Sequence, residues 1–108
     1  MQLKMVLDGE ITIISLSGRI DIDKTQSFKK ACLENFSDKK LIFCMKNLSF
    51  VGSTGIQSFF GVLNELKTSN KVDVKISGLN SDFRRLLTFS ECSQLDVHED
   101  IEGALQSF

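Results

Sequence analysis

The residues best placed to do chemistry are two hydroxyl side chains, Ser53 and Thr54, which stand between glycines in the run 52–55. An apolar segment precedes this run and an amphipathic one follows it, so the hydroxyls should lie where a helix begins. Capping is the plainest role, because Thr54 and Gln57 have the spacing of a capping box and glycines permit a tight turn. Three chemical roles compete with it: nucleophilic catalysis, phosphate binding and covalent modification of Ser53.

Catalysis and phosphate binding both lack the residues they need. The nucleophile elbow of hydrolases has glycine two residues before its serine, where this chain has Val51. The single histidine, His98, lies in a polar stretch and is expected at the surface. A phosphate-binding P-loop requires a lysine after its glycines, and none follows Gly55. We therefore expect a protein that is not an enzyme and that uses no cofactor.

Covalent modification of Ser53 fits the pattern better. A phosphoryl group adds about −1.5 to −2 charge, which the positive end of a helix tolerates. The same charge on a binding face would repel an acidic or apolar partner surface, at a cost of several kcal/mol. Such a site can switch binding off without unfolding the domain.

The composition is that of one soluble globular domain covering residues 1–108. It is 42% hydrophobic and 25% charged, with 13 basic and 14 acidic residues, so we expect no direct binding of nucleic acid. The apolar run 41–45 is too short to cross a membrane, and the first residues do not resemble a signal peptide, which favours the cytoplasm. Three cysteines and one histidine, widely spaced, fit neither a disulfide framework nor a zinc site.

The hydrophobic pattern predicts the element order β-β-α-β-α-β-α-β-α. Two β-like runs, 3–7 and 11–16, flank Asp8-Gly9, which favours a hairpin with a type I′ turn. Asp23 and Gln26 have capping-box spacing and predict the start of the first helix. The apolar run 41–45 does not alternate, which indicates a strand in the middle of the sheet, covered on both faces.

The second half of the chain continues this alternation. An apolar stripe at helical spacing predicts a second helix that carries Ile56, Phe59, Phe60, Leu63 and Leu66. The run 72–77 alternates like a half-buried strand, and Asn80 or Ser81 can cap a short third helix. A weak strand at 94–97 and a last helix over 101–108 complete the order.

Strands that alternate with helices predict an α/β fold with a mixed, mostly parallel β-sheet, an N-terminal β-hairpin and about four α-helices. In such open sheets, ligands and partners meet the carboxyl ends of the central strands. The segment that leaves the central strand is 47–55, which contains Ser53. Function is therefore expected at that edge of the sheet.

Two stretches make the chain resemble the STAS family, named for sulfate transporters and anti-sigma factor antagonists. They are Ile-Ile-Ser-Leu-Ser-Gly-Arg-Ile-Asp at 13–21 and Leu-Ser-Phe-Val-Gly-Ser-Thr-Gly-Ile at 48–56. The resemblance covers nearly the whole chain and implies a cytoplasmic bacterial protein that binds an anti-sigma factor, itself a serine kinase, and thereby releases a sigma factor. It further implies that this kinase phosphorylates Ser53 and ends binding, and that a phosphoserine phosphatase restores it.

The resemblance also implies a partner-binding face made of Asp21, Gly52, Ser53, Thr54 and Gln57. For Asp21, a simple turn or capping role is an equal alternative. Many phosphorylatable members carry aspartate immediately before the serine, where this chain has Gly52. That departure favours a second hypothesis, in which the chain is a non-switching subunit of an ABC-type lipid transporter or a signalling scaffold.

Overall fold

The computed structural model describes residues 2–36, 39–50, 52–88 and 95–108; for Ile22, Phe50 and residues 52–54 it describes the backbone alone. The elements follow the predicted order, and their bounds are β1 (Gln2–Asp8), β2 (Ile11–Ile20), α1 (Ile22–Asn35), β3 (Lys40–Phe50), α2 (Gly52–Ser69), β4 (Asp73–Ser77), α3 (Ser81–Thr88), β5 (Asp96–His98) and α4 (Ile101–Gln106). Within the described ranges, every helix is too short or too polar to span a membrane.

The five strands form one sheet in the order β1-β2-β3-β4-β5. Strand β1 runs antiparallel to β2, and the other neighbours are parallel. The predicted mixed sheet with an N-terminal hairpin is therefore confirmed, and so is the central place of the apolar strand, β3. Side chains on one face join α1, α2 and α3 in the main core, whereas Ile13 and Ile42 on the other face pack against Ala104 of α4.

The hairpin turn lies one residue later than predicted. Asp8 pairs with Ile11, so the two central residues of the turn are Gly9 and Glu10. Gly9 has φ +63°, and Lys71 is the only non-glycine residue with positive φ in the described part of the chain. A positive φ at the first central position alone is the pattern of a type II′ turn, so the type I′ prediction was wrong.

The apolar stripe of α2 forms the centre of the main core, as predicted. Its five members are completely buried: Ile56, Phe59, Phe60, Leu63 and Leu66. The Phe28 ring of α1 stacks on Phe59 with centroids 5.1 Å apart and meets Phe43 of β3 edge-on at 6.0 Å. These three rings fix α1 and α2 against the sheet.

Strand β4 does not alternate between buried and exposed residues, contrary to the prediction. Lys75 and Ser77 are buried along with their apolar neighbours, because α4 covers the face on which solvent was expected. The Lys75 ammonium lies 2.9 Å from Asp96 Oδ2 and 4.8 Å from the centroid of the Phe108 ring. A carboxylate and an aromatic face thus compensate the burial of this charge.

The Lys75–Asp96 pair should make stability depend on pH. The hydrogen bond from Lys75 lowers the pKa of the Asp96 carboxyl below its ordinary value. The stabilisation from a lowered pKa is complete above the unfolded value, about 4, and is lost as the pH falls through the folded value. In urea titrations, the difference in unfolding free energy between the parent and Asp96→Asn should therefore be largest above pH 4 and shrink below it. Asp73→Asn, an exposed change on β4, is the control, and a pH-independent difference would contradict the prediction.

In the second half of the chain, the helix cap of α3 agrees with the prediction, and the bounds of β5 differ from it by one or two residues. The backbone N–H of Phe83 donates to Asn80 Oδ1 at 2.9 Å, which places Asn80 as the cap of α3. Asp100 caps α4 by accepting from the N–H of Gly103 at 2.7 Å. Strand β5 covers 96–98 rather than the predicted 94–97, and Gln94 lies outside the described residues.

The described cysteines and the histidine belong to no cluster of possible metal ligands in the part of the chain that the structure describes. Cys32 is buried and Cys44 half-buried, and burial raises the pKa of the Cys32 thiol to about 12; Cys92 lies outside the described residues. His98 is half-buried rather than fully exposed, and its Nε2 lies 3.2 Å from Ser107 Oγ. No group of three or more possible metal ligands occurs in the described ranges.

Candidate partner-binding site

The predicted site residues come together because two parallel strands end side by side. Ile20 and Phe50, the last residues of β2 and β3, are partners in the register. The chain leaves both strands at the same edge, so Asp21 follows one strand and Gly52 begins the helix after the other. The first turns of α1 and α2 therefore start next to each other.

Asp21 caps α1, which confirms the capping alternative for this residue. Its Oδ1 accepts a hydrogen bond of 2.9 Å from the N–H of Lys24, and its carbonyl oxygen accepts one of 2.7 Å from Thr25 Oγ1. Asp23, the predicted cap, lies inside the first turn, where its negative charge interacts favourably with the helix dipole. Contact with a partner remains a prediction for Asp21, whose side chain is half-buried.

Helix α2 begins earlier than the capping pattern suggested. It starts at Gly52, so Ser53 and Thr54 belong to its first turn and Thr54 is not the residue that precedes the helix. The reason is the length of β3, which continues to Phe50 and leaves one residue for the connection. The predicted capping box of Thr54 with Gln57 was therefore wrong. The side chains of Ser53 and Thr54 lie outside what the structure describes.

The charge at the start of α2 differs from that of the other described helices. Helices α1, α3 and α4 carry Asp23, Asp82 and Glu102 in their first turns, and α2 has no acidic residue there. Unpaired N–H groups and the aligned peptide dipoles give this end a partial positive charge. The first turn of α2 is therefore suited to a negatively charged group.

Packing holds this turn against the end of β2. Gly55 is buried, and a Cβ atom placed on it would lie 4.0 Å from the carbonyl oxygen of Ile20. Ile56 is also buried, whereas Gln57 is exposed and free to contact a partner. One side of the turn thus faces the sheet, and Gln57 extends the candidate surface.

Two basic residues that the site prediction did not include lie at the same edge. Arg19 is exposed opposite Ser49, one register pair before the strands end. Lys24 is exposed on the first turn of α1, and its Nζ donates to the Arg19 carbonyl oxygen at 3.4 Å. In the sequence, only the closeness of these two residues to Asp21 could have indicated that they belong to the site. The parallel register of β2 and β3 is what brings them to the same edge as the start of α2.

A polar groove between α1 and α2 continues from this edge. Lys29 Nζ and Glu65 Oε2 approach to 3.1 Å across it, and both side chains are 39% exposed. The other lining residues are the apolar Val62 and four small or polar ones: Thr25, Gln26, Ser58 and Gly61. A shallow polar groove of this kind suits a protein surface better than a buried small molecule.

Residues 2–104 match the family model of the STAS domain. The chain belongs to the STAS-domain family. The predicted resemblance is thereby confirmed over nearly the whole length, and the order of strands and helices in this STAS domain agrees with the prediction. No curated protein matches the sequence.

Solved structures share the fold of this STAS domain at low sequence identity. An anti-sigma factor antagonist from Mycobacterium paratuberculosis is 16% identical with a TM-score of 0.74, over 98% of this chain and 92% of that one. A variant of RsbS from Moorella thermoacetica is 12% identical with a TM-score of 0.76, over 99% and 94%. The Bacillus cell fate determinant SpoIIAA, in its phosphorylated form, is 18% identical with a TM-score of 0.65, over 98% of both chains. At these identities the likeness is one of fold.

The cap at Asp21 allows a test of how much this residue contributes to the stability of the STAS domain. Asp21→Ala should lower the free energy of unfolding by about 1 kcal/mol, because the N–H of Lys24 loses its acceptor. Asp21→Asn keeps a capping oxygen and should stay close to the parent. Urea titrations followed by circular dichroism measure both, and equal losses in the two variants would contradict the capping role.

Proposed function

We propose that this STAS domain is a cytoplasmic anti-sigma factor antagonist in a bacterium. It binds a serine-kinase anti-sigma factor and thereby releases a sigma factor, which makes it a regulator of transcription by partner switching. The docking surface lies where β2 and β3 end, and it consists of Asp21, Gly52, Ser53, Thr54 and Gln57. Phosphorylation of Ser53 by the kinase ends the interaction, and a phosphoserine phosphatase restores it.

The observation that carries the proposal is the placement of the first turn of α2. This turn contains Ser53, holds no carboxylate of its own and begins beside Asp21, where two parallel strands end. Phosphorylation would place about two negative charges at the positive end of the helix, so the fold accepts them. A partner surface matched to the unmodified turn would then meet a charge that it cannot pair.

The same arrangement supports a binding module rather than a catalyst. Around this edge the described carboxylates are Asp21, which is half-buried and occupied as a helix cap, and Asp23, which is exposed on the first turn of α1. The side chains of Arg19 and Lys24 are exposed cations. A general base close to a nucleophile is the minimum for acyl or phosphoryl transfer, and the sequence around Ser53 contains neither a histidine nor a carboxylate in the first turn of α2. We propose that residues 1–108 act as one domain in this role.

The test is phosphorylation by the kinase-type anti-sigma factor of the source organism. Incubation with this kinase and ATP should add one phosphoryl group to the parent protein, as seen by intact mass, and none to Ser53→Ala. Ser69→Ala, a change of the exposed serine at the far end of α2, should be phosphorylated like the parent and is the matched control. An unmodified parent, in the presence of a kinase shown to be active, would contradict the proposal.

One observation favours a second function. Gly52 stands where many phosphorylatable members of the family carry aspartate, so the chain lacks an acceptor that could orient the serine hydroxyl. A STAS subunit that supports the ATPase of an ABC-type lipid transporter, or a signalling scaffold, would not need it. Affinity purification distinguishes the two: recovery of a transporter ATPase without a kinase would favour this alternative.

A further inference from the structure

Strand β1 is an edge strand with an unusually apolar surface. It lies at one end of the sheet, so one side of its backbone has no neighbour among the described strands. Four large hydrophobic side chains on it are exposed, namely Leu3 at 46%, Met5 at 51%, Val6 at 46% and Leu7 at 75%. Exposed apolar edge strands are sites of pairing with another chain.

We propose that β1 pairs antiparallel with β1 of a second copy of this chain, about a two-fold axis that passes between the two Val6 residues. The two sheets then join into one continuous sheet. A second copy is the partner that the sequence of β1 favours. When two β1 strands run antiparallel, apolar residues lie opposite apolar residues and a positive side chain lies opposite a negative one. This proposal is independent of the function proposed above.

The backbone geometry restricts how two such strands can pair. Asp8 and Ile11 flank the two-residue turn and therefore form a hydrogen-bonded pair. Hydrogen-bonded and non-hydrogen-bonded pairs alternate along an antiparallel ladder, so alternate residues of β1 turn their N–H and C=O groups away from β2. These residues are Leu3, Met5 and Leu7. In an added strand they must pair with one another.

Charge selects one register from the few that remain. With the axis at Val6, Met5 lies opposite Leu7 and Lys4 lies opposite Asp8, and symmetry forms each pair twice. With the axis at Lys4, two ammonium groups face each other. With the axis at Met5, Lys4 faces Val6. Neither Lys4 nor Asp8 has an ion-pair partner within its own chain in the described ranges, so both are available. Opposite charges across strands stabilise pairing and like charges oppose it.

The apolar side chains of this register extend the existing core. Met5 and Leu7 lie on the face of β1 that borders α1, since they line one groove with Phe28, Ala31 and Cys32 of that helix and with Phe36, which directly follows it. The two Met5–Leu7 pairs would continue this apolar strip across the two-fold axis. On the opposite face, the Val6 pair is flanked by the two ion pairs. On both faces of the joined sheet, pairing of the two strands thus removes exposed hydrophobic side chains from water.

The pairing leaves the candidate partner-binding site open. Val6 is the register partner of Ile13, seven residues before the end of β2 at Ile20. At roughly 3.3 Å per residue, the axis lies about 23 Å along the strand from the edge that carries Asp21. A dimer formed through β1 can therefore expose two copies of that edge at once.

Charge reversal tests the register directly. Sedimentation velocity across a concentration series should show a dimer for the parent protein. Lys4→Glu and Asp8→Lys should each raise the dissociation constant roughly tenfold or more, because each places two pairs of like charges across the axis. An equimolar mixture of the two variants should dimerise again, since both cross-strand pairs are then opposite in charge. Lys30→Glu, on the exposed surface of α1, should behave like the parent.

Hydrogen exchange gives a second measurement that does not depend on a variant. The amide hydrogens of Met5 and Leu7 should exchange more slowly as the protein concentration rises. Thermal melting followed by circular dichroism confirms that each variant is folded. A parent protein that stays monomeric at high concentration would overturn the proposal. The proposal would also be overturned if neither charge reversal changed the dissociation constant of the dimer, or if the two variants did not associate on mixing.

Discussion

Replacement of Ser53 by aspartate is expected to weaken binding of the kinase by about a hundredfold or more without loss of stability. A like-charge contact in an interface costs several kcal/mol, and each 1.4 kcal/mol is about tenfold in affinity. Within the domain the same carboxylate would occupy the first turn of α2, which holds no acid, and the helix dipole would stabilise it. Binding should therefore fall while the melting temperature stays constant or rises slightly.

Two controls make this result specific to the start of α2. Ser53→Ala adds no charge and should bind the kinase about as well as the parent. Ser69→Asp places the same carboxylate at the exposed far end of the helix, sixteen residues and about 24 Å away, and should leave binding unchanged. Equal binding by Ser53→Asp and the parent in calorimetric titration would contradict the account of the site.

The replacement Phe59→Ala should lower the free energy of unfolding by about 3 to 5 kcal/mol. The ring is fully buried and stacks on Phe28 with centroids 5.1 Å apart, so its loss leaves a cavity where α1 and α2 meet the sheet. A domain of this size is stable by about 5 to 15 kcal/mol in total, so a considerable fraction of the variant could unfold near physiological temperature. Urea denaturation followed by circular dichroism measures the loss.

The matched control is Phe83→Ala on α3. Phe83 is half-buried and packs against the rim of the same core, so its truncation should cost clearly less. Phe60→Ala, next to Phe59 and also fully buried, should resemble Phe59→Ala. An unchanged unfolding curve for both fully buried phenylalanines would mean that α2 does not pack on the sheet through this stripe.

Elements with a strong apolar pattern could be predicted from the sequence. The stripe that begins at Ile56 has the helical period over several turns, and burial of one face is what gives a helix most of its stability. The run 41–45 has no polar face, so it can lie only where both sides are covered, in the centre of the sheet. In both cases the sequence pattern and the tertiary packing require the same conformation.

The errors arose where the chain had several equivalent local choices. Asp21 and Asp23 are both good caps, and the decision depends on β2 continuing to Ile20, which ends directly before Asp21. Thr54 with Gln57 has capping spacing, but β3 continues to Phe50 and the helix must begin almost at once. Strand length is set by pairing with neighbours, which local sequence does not contain.

The buried lysine of β4 and the composition of the site depend on contacts that are distant in sequence. Lys75 is balanced by Asp96, 21 residues later, and covered by the last residue, Phe108. Asp21 meets the start of α2 only through the parallel register of β2 and β3. The alternating pattern of β4 gave no indication of Asp96 or Phe108, and only the family resemblance indicated that Asp21 lies near Ser53.

The most direct test of the central claim is a calorimetric titration of the kinase-type anti-sigma factor with two forms of this protein. One form is unmodified, and the other is phosphorylated on Ser53 and verified by intact mass. We expect saturable binding to the unmodified form, binding weaker by about a hundredfold or more to the phosphorylated form, and recovery after phosphatase treatment. Equal affinity for the two forms would contradict the claim that charge at the start of α2 controls docking.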